Sequence, residues 1–198
     1  MIRTLLLCAI LFQPNPQTAP KPSIDNDRVT VWEVTGHATV QPVDAVVVTL
    51  SGHAAFVPKG TTPTVPGDSN AGDSKTGDSK TERSIVIDLK DHPVAPIANT
   101  SGYPLAMPRP GSKKILENDR VIVWDYTWTP SVPTPMHFHD KDVVVVFLEE
   151  GDLSSTTPDG KVTTNAYTPG TVRFNTRDRT HTEMLVRGKQ HAIITELQ

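Results

Sequence analysis

Two runs of alternating apolar and polar residues set the pattern of this chain. Residues 24–35 read IDNDRVTVWEVT and residues 116–127 read LENDRVIVWDYT. After an Asn-Asp turn, apolar side chains recur at every second position, the period of a strand buried on one face. A second apolar run follows in each half: AVVVTL over 45–50 and VVVVFL over 143–148, each directly after an aspartate, Asp44 and Asp142. Near-continuous β-branched residues fit strands covered on both faces. No window keeps a helical period. Turns such as Pro158-Asp159-Gly160 and Pro169-Gly170 cut the rest into short pieces. The pattern predicts an all-β chain of sandwich or barrel type.

The paired runs amount to an internal duplication. Seven of the twelve positions in the first pair are identical, Trp32 and Trp124 among them, at an offset of 92 residues. The second pair is offset by 98, so the second copy is longer between its two strands, and the extra length falls on PTPMHFHDKD. Between its own later strands the first copy carries GDSNAGDSKTGDSKTE, inside 58–83. Such a low-complexity stretch buries too little apolar area to offset its ordering entropy, and it is expected to be a disordered loop. It is not a phosphate-binding loop, since Asp78 and not Lys follows Gly77.

At the N-terminus, Arg3 precedes an apolar stretch over 4–12 and a Pro-rich segment over 14–22. This reads as an export signal, too short to cross a bilayer as a mature helix. Residues 1–22 are therefore assigned to a signal peptide and linker, and the protein is expected to be secreted or periplasmic with no integral membrane span once processed. Cys8 is the only cysteine of the 198 residues and lies in that signal, so no disulfide and no thiolate chemistry are expected. The net charge of −3 and the absence of a Lys/Arg run argue against a nucleic-acid partner.

The chemistry concentrates on histidines. His137 and His139 stand two apart on an extended segment, so both imidazoles point to one face, and His181 follows a later strand-like run. Three imidazoles from two strands form a facial ligand set with open positions. Nitrogen-only ligation suits a divalent transition metal, Fe, Ni, Cu or Zn, better than Mg or Ca. His37, His53, His92 and His191 are isolated and read as surface or satisfied groups.

At these residues the chain resembles the cupin superfamily. The family's first motif, G-x5-H-x-H followed by three or four residues, E, six residues and G, aligns Ser131 with the first Gly. It places His137 and His139 on the histidines, Val144 on the Glu and Gly151 on the last Gly. The second motif, G-x5-P-x-G-x2-H-x3-N, aligns Gly170, Thr176, Asp178, His181 and Leu185 in turn. The first half lacks H-x-H, and Ala95 falls at its third-histidine position. The resemblance implies two cupin-type β-barrels (double-stranded β-helix, or jelly roll) from the duplication. The boundaries it suggests are 23–107 for a degenerate barrel, 108–115 for a linker and 116–198 for a metal-binding barrel. Val144 removes the family's carboxylate ligand, which leaves a three-histidine site as in some thiol-dioxygenase-like members. Asp142 and Glu183 are the candidate replacements, as fourth ligand, acid/base group or partner to an imidazole, or else as solvated strand-end charges. The expected function is a metal-dependent, dioxygenase-like oxidoreductase acting on a small organic molecule. The alternative is a non-catalytic small-molecule-binding or structural module, and a homodimer is left open.

Overall fold

The structure is a computed structural model that describes residues 21–35, 41–62 and 83–198. The expected signal peptide over 1–22 and loop over 58–83 lie outside the described residues except at their edges, as does His37.

The described residues form strands and connecting turns, without a helix. The first half holds β1 (Ile24–Asp25), β2 (Val29–Thr35), β3 (Ala45–Thr49), β4 (Ala54–Val57) and β5 (Arg83–Leu89). The second holds β6 (Ser112–Glu117), β7 (Val121–Thr127), β8 (His137–His139), β9 (Val143–Phe147) and β10 (Gly151–Thr156). It continues through β11 (Val162–Tyr167), β12 (Val172–Asn175), β13 (Arg179–Gly188) and β14 (His191–Leu197).

Two of the three sheets are copies of one another. The first half forms one sheet in the order β1-β2-β5-β3-β4; the second repeats that order as β6-β7-β14-β9-β12. The two halves thus share strand order as well as the matched sequence. A third sheet, β11-β10-β13-β8, belongs to the second half alone. It closes over the second five-stranded sheet: Leu153 and Leu185 pack against Trp124, Tyr126, Val145 and Ile194 in one core. Two opposed antiparallel sheets around one core make the jelly roll expected of the second half. Among the described residues, the first half contributes a single sheet.

The copies pack face to face. The all-buried strand β9 shows why its sequence is apolar at every position. Val144 and Val146 face the first half, where they join Val29, Val31, Val46, Val48, Ile85 and Ile87. Val143, Val145 and Phe147 face the barrel interior. Each valine withdrawn from water contributes roughly 1.5–3 kcal/mol, so this shared layer is a large part of what holds the halves together.

Duplicated polar residues seal the contact with pseudo-two-fold symmetry. Arg28 donates to Asp142 at 2.6 Å, and its counterpart Arg120 donates to Asp44 at 2.9 Å. Asn26 accepts from the backbone N–H of Arg28 and Val29, and Asn118 accepts from Arg120 and Val121, which explains the repeated Asn-Asp-Arg-Val. Asp142 therefore serves the interface. Its second oxygen accepts from the backbone N–H of Arg177 at 2.8 Å, and it does not reach the histidines.

Strand pairing crosses the boundary expected at 107/108. Ala106 N–H donates to Phe138 O, and Phe138 N–H donates to Pro104 O, each at 2.8 Å, so the segment before the supposed linker lies along β8. Met107 and Arg109 line the second half's cavity.

Candidate metal centre and its cavity

His137 pairs directly with His181 across β8 and β13, and His139 follows two residues later on the same face. All three side chains are buried and converge. Their ring centroids are 4.8–5.1 Å apart and one nitrogen from each lies within 4.8 Å of the others. The Nε2 atoms of His139 and His181 face each other at 3.2 Å. Imidazole nitrogens bound to one ion at about 2.0–2.1 Å stand about 3.0–3.4 Å apart, so this pair already has the spacing of two ligands. The donor set fits a borderline divalent transition ion. Ser155 Oγ lies 3.3 Å from Nδ1 of His181, while Nδ1 of His139 is buried without a hydrogen-bond partner among the described residues.

His137 is held differently. Its Nε2 is 2.8 Å from Nη1 of Arg109, and its Nδ1 is 2.8 Å from the carbonyl of Pro135. A guanidinium only donates, so Nε2 accepts and Nδ1 carries the proton. A cation that engages all three imidazoles must displace Arg109 from His137. Arg109 is itself fixed by Glu183 Oε2 at 3.0 Å and by the Tyr126 ring, 4.2 Å beneath the guanidinium carbon. Trp128 Nε1 adds a bond to the same Glu183 oxygen at 3.3 Å.

The electrostatics favour neutral imidazoles. Burial pushes His137 down to about 4, and Arg109 acts in the same direction. Burial also holds His139 well below its ordinary value and lowers His181, which Glu183 partly offsets. Burial alone would raise Glu183, but Arg109 and the neighbouring imidazoles bring it down to about 2. Neutral imidazoles beside an ionised carboxylate are the protonation states a metal ligand set needs.

Of the two candidate carboxylates, Glu183 lines the cavity and Asp142 is bound into the interface. The position assigned to the missing Glu is also corrected. Val144 points into the layer between the halves, and Val143, one residue earlier, faces the cavity opposite Glu196. Glu196 accepts from Trp124 Nε1 at 2.9 Å, and burial raises its pKa. Arg109, Arg179 and Glu196 had not stood out in the sequence. Arg179 carried a readable signal, since it precedes His181 by two residues and so shares its face; Arg109 carried none, because its place beside β8 depends on a pairing with no local pattern.

No protein-family model matches the chain, and no curated protein matches it. Among solved structures, a cupin domain from Bordetella pertussis Tohama I is similar at 26% identity and a TM-score of 0.39, covering 47% of this chain and 99% of that one. A cupin 2 conserved barrel domain protein from Leptotrichia buccalis covers 95% of this chain and 92% of its own at 8% identity and a TM-score of 0.42. The polyketide cyclase RemF from Streptomyces resistomycificus covers 52% and 78%, at 22% identity and a TM-score of 0.35.

The chain's own backbone extends the resemblance. Ser131 and Asp178 stand at motif positions that carry glycine in the family. They are the non-glycine residues with left-handed backbone among the described residues, at φ of 60° and 62°. Left-handed backbone disfavours a Cβ and is the usual reason for glycine at a fixed position. Both residues adopt the conformation glycine would supply, in a jelly roll whose histidines fall in register. The second half has a cupin-like jelly-roll fold. In this chain the H-x-H pair sits on β8, the third histidine on β13, and the cavity lined by His139 and His181 measures about 180 Å³.

Proposed function

We propose that this cupin-like protein holds a divalent transition metal, Fe, Ni, Cu or Zn, through His137, His139 and His181 and acts on a small organic molecule as a dioxygenase-like oxidoreductase. The observation that carries the proposal is the convergence of three buried imidazoles, of which His139 and His181 line a small cavity and stand at ligand spacing. A redox-active ion there would supply electron transfer to dioxygen, or a zinc ion Lewis acidity. The protein's own contribution is to hold the imidazoles neutral and to position Glu183 on Arg109, in reach of a proton on a bound molecule. The apolar stretch over 4–12 supports export, which would deliver the mature protein to the periplasm or the medium.

Elemental analysis of protein purified from its native host tests the first step. Near-stoichiometric transition metal is expected, lost in His139→Ala; full occupancy in that variant overturns the assignment. Oxygen uptake with phenolic, thiol and keto-acid compounds then tests the reaction class. A second reading, a non-catalytic ligand-binding module, is favoured by one observation: Arg109 occupies the lone pair of His137 that a metal would use. It predicts a folded protein that binds small molecules without metal and consumes no oxygen.

A further inference from the structure

Three arginines line the cavity, and only one has a carboxylate partner. Arg109 is paired with Glu183, whereas Arg173 on β12 and Arg179 on β13 make no ion pair among the described residues. Arg179 is half-buried. Its Nε donates to the carbonyl of Thr176 at 2.7 Å, which orients the side chain and leaves both terminal nitrogens for another acceptor. Glu183 and Asp142 act on Arg179 from beyond ion-pair distance. A guanidinium drawn from water without a close partner costs stability unless something else accepts from it.

Its place in the sheet says what that acceptor adjoins. Arg179 lies directly opposite His139 across the β13–β8 pair and two residues before His181 on the same face. A molecule bound at the imidazole pair is therefore within reach of Arg179. Arg173 pairs with Val145 on β9 and is exposed, which puts it at the rim. The wall beyond is apolar, formed by Val143, Val145, Phe147 and Ile194. One end of the cavity is cationic and the other is mostly hydrocarbon with Glu196 beside Val143 and Ile194, in a volume of about 180 Å³ that admits a few-carbon chain or a single ring.

The geometry points to a small monocarboxylic acid with an apolar body as the ligand of this cavity, its carboxylate on Arg179 with Arg173 at the entrance. The planar guanidinium fork matches a carboxylate through two parallel N–H···O bonds. Glu183 and Glu196 face the same space, so a singly charged anion fits better than a phosphate dianion. This deepens the function proposed above by naming its substrate class. The arginine contact itself needs no metal.

Calorimetric titration of the chelator-treated full chain with matched acid and amide pairs decides the matter: butyrate and butyramide, pyruvate and pyruvamide, benzoate and benzamide, with inorganic phosphate as a further probe. At least one acid should bind ten-fold or more tightly than its amide and outcompete phosphate. Arg179→Gln should abolish that preference, Arg179→Lys should keep part of it, and Arg173→Gln should weaken it less. If no acid outbinds its amide, if phosphate binds most tightly, or if folded Arg179→Gln retains the preference, the inference is wrong. Should Arg179→Gln fail to fold, the wild-type acid-to-amide ratio and Arg179→Lys decide. Repeating the titration with added Co(II) separates the two readings, since an acid preference that the metal does not enhance leaves the carboxylate site standing and counts against the metal centre.

Discussion

In the first half, β3 runs into its partner β4 through the Ser51–Gly52 turn, and the pair is complete within a hairpin. In the second, the equivalent strands β9 and β12 are separated by β10 and β11, and β13 follows before the chain returns through β14. That excursion, with β8, is the four-stranded sheet that closes the barrel. The shared strands build the same five-stranded scaffold twice. Every imidazole of the cluster stands on the sheet that the second half adds. The difference teaches that the duplicated sequence encodes packing, whereas the chemistry resides where the copies diverge.

The sharpest way to break this comparison uses neighbouring valines on β9. Val144→Glu puts a carboxylate into the apolar layer between the copies, where no counter-charge awaits it. It should cost more than about 5 kcal/mol, enough to unfold a marginal domain, and circular dichroism would show it. Val143→Glu faces the cavity and its arginines. That variant should fold and bind Co(II) more tightly than wild type by titration; equal damage from both substitutions would contradict the assignment of faces.

The pseudo-symmetric ion pairs give a second contrast. Arg28 and Asp142 are nearly sealed, at 9% and 7% side-chain exposure, while Arg120 and Asp44 retain 25% and 26%. Asp142→Ala strands a buried guanidinium and should cost about 3–5 kcal/mol. Asp44→Ala leaves Arg120 in contact with water and should cost about 1 kcal/mol or less. Urea denaturation of both variants reads the ratio directly.

Acid should separate the halves further. His137 ionises near 6.5 when unfolded and near 4 in the fold, so between those values the unfolded chain binds a proton that the folded chain does not. Stability must then fall as pH drops through that window, by at most about 1.4 kcal/mol per pH unit for each imidazole. His139 and His181 act in the same direction. Glu183, held near 2, adds its loss only below the ordinary carboxylate range. Hydrogen exchange in metal-free protein should show β8 and β13 losing protection at higher pH than β2 and β5, and His137→Gln should flatten the dependence.

The smallest effect concerns Ser131 and Asp178. Ser131→Gly removes a Cβ from left-handed backbone and should raise stability by up to about 1 kcal/mol. Asp178→Gly should gain less, because Asp tolerates that conformation better than most residues. Thermal melts resolve both.

Alternation in 24–35 and 116–127, the valine runs and the H-x-H spacing are enough to reveal the all-β class, the strands that the halves share and the three histidines. These features are local, and a two-residue period states which side chains share a face whatever the sheet pairs with. The direction in which a face points is not local. Motif spacing counts residues and puts Val144 at the carboxylate position, while the side chain that enters the cavity depends on where β9 begins its pleat. Asp142, one of the two candidate carboxylates, is claimed by Arg28 from the other half. Arg109 reached His137 from a segment with no pattern of its own, through pairing with β8. Residue type and period thus decided what the chain contains and how its strands alternate. Only the packing of distant segments decided which charges meet, because Coulombic and hydrogen-bond partners are chosen by distance in space and not by distance along the chain.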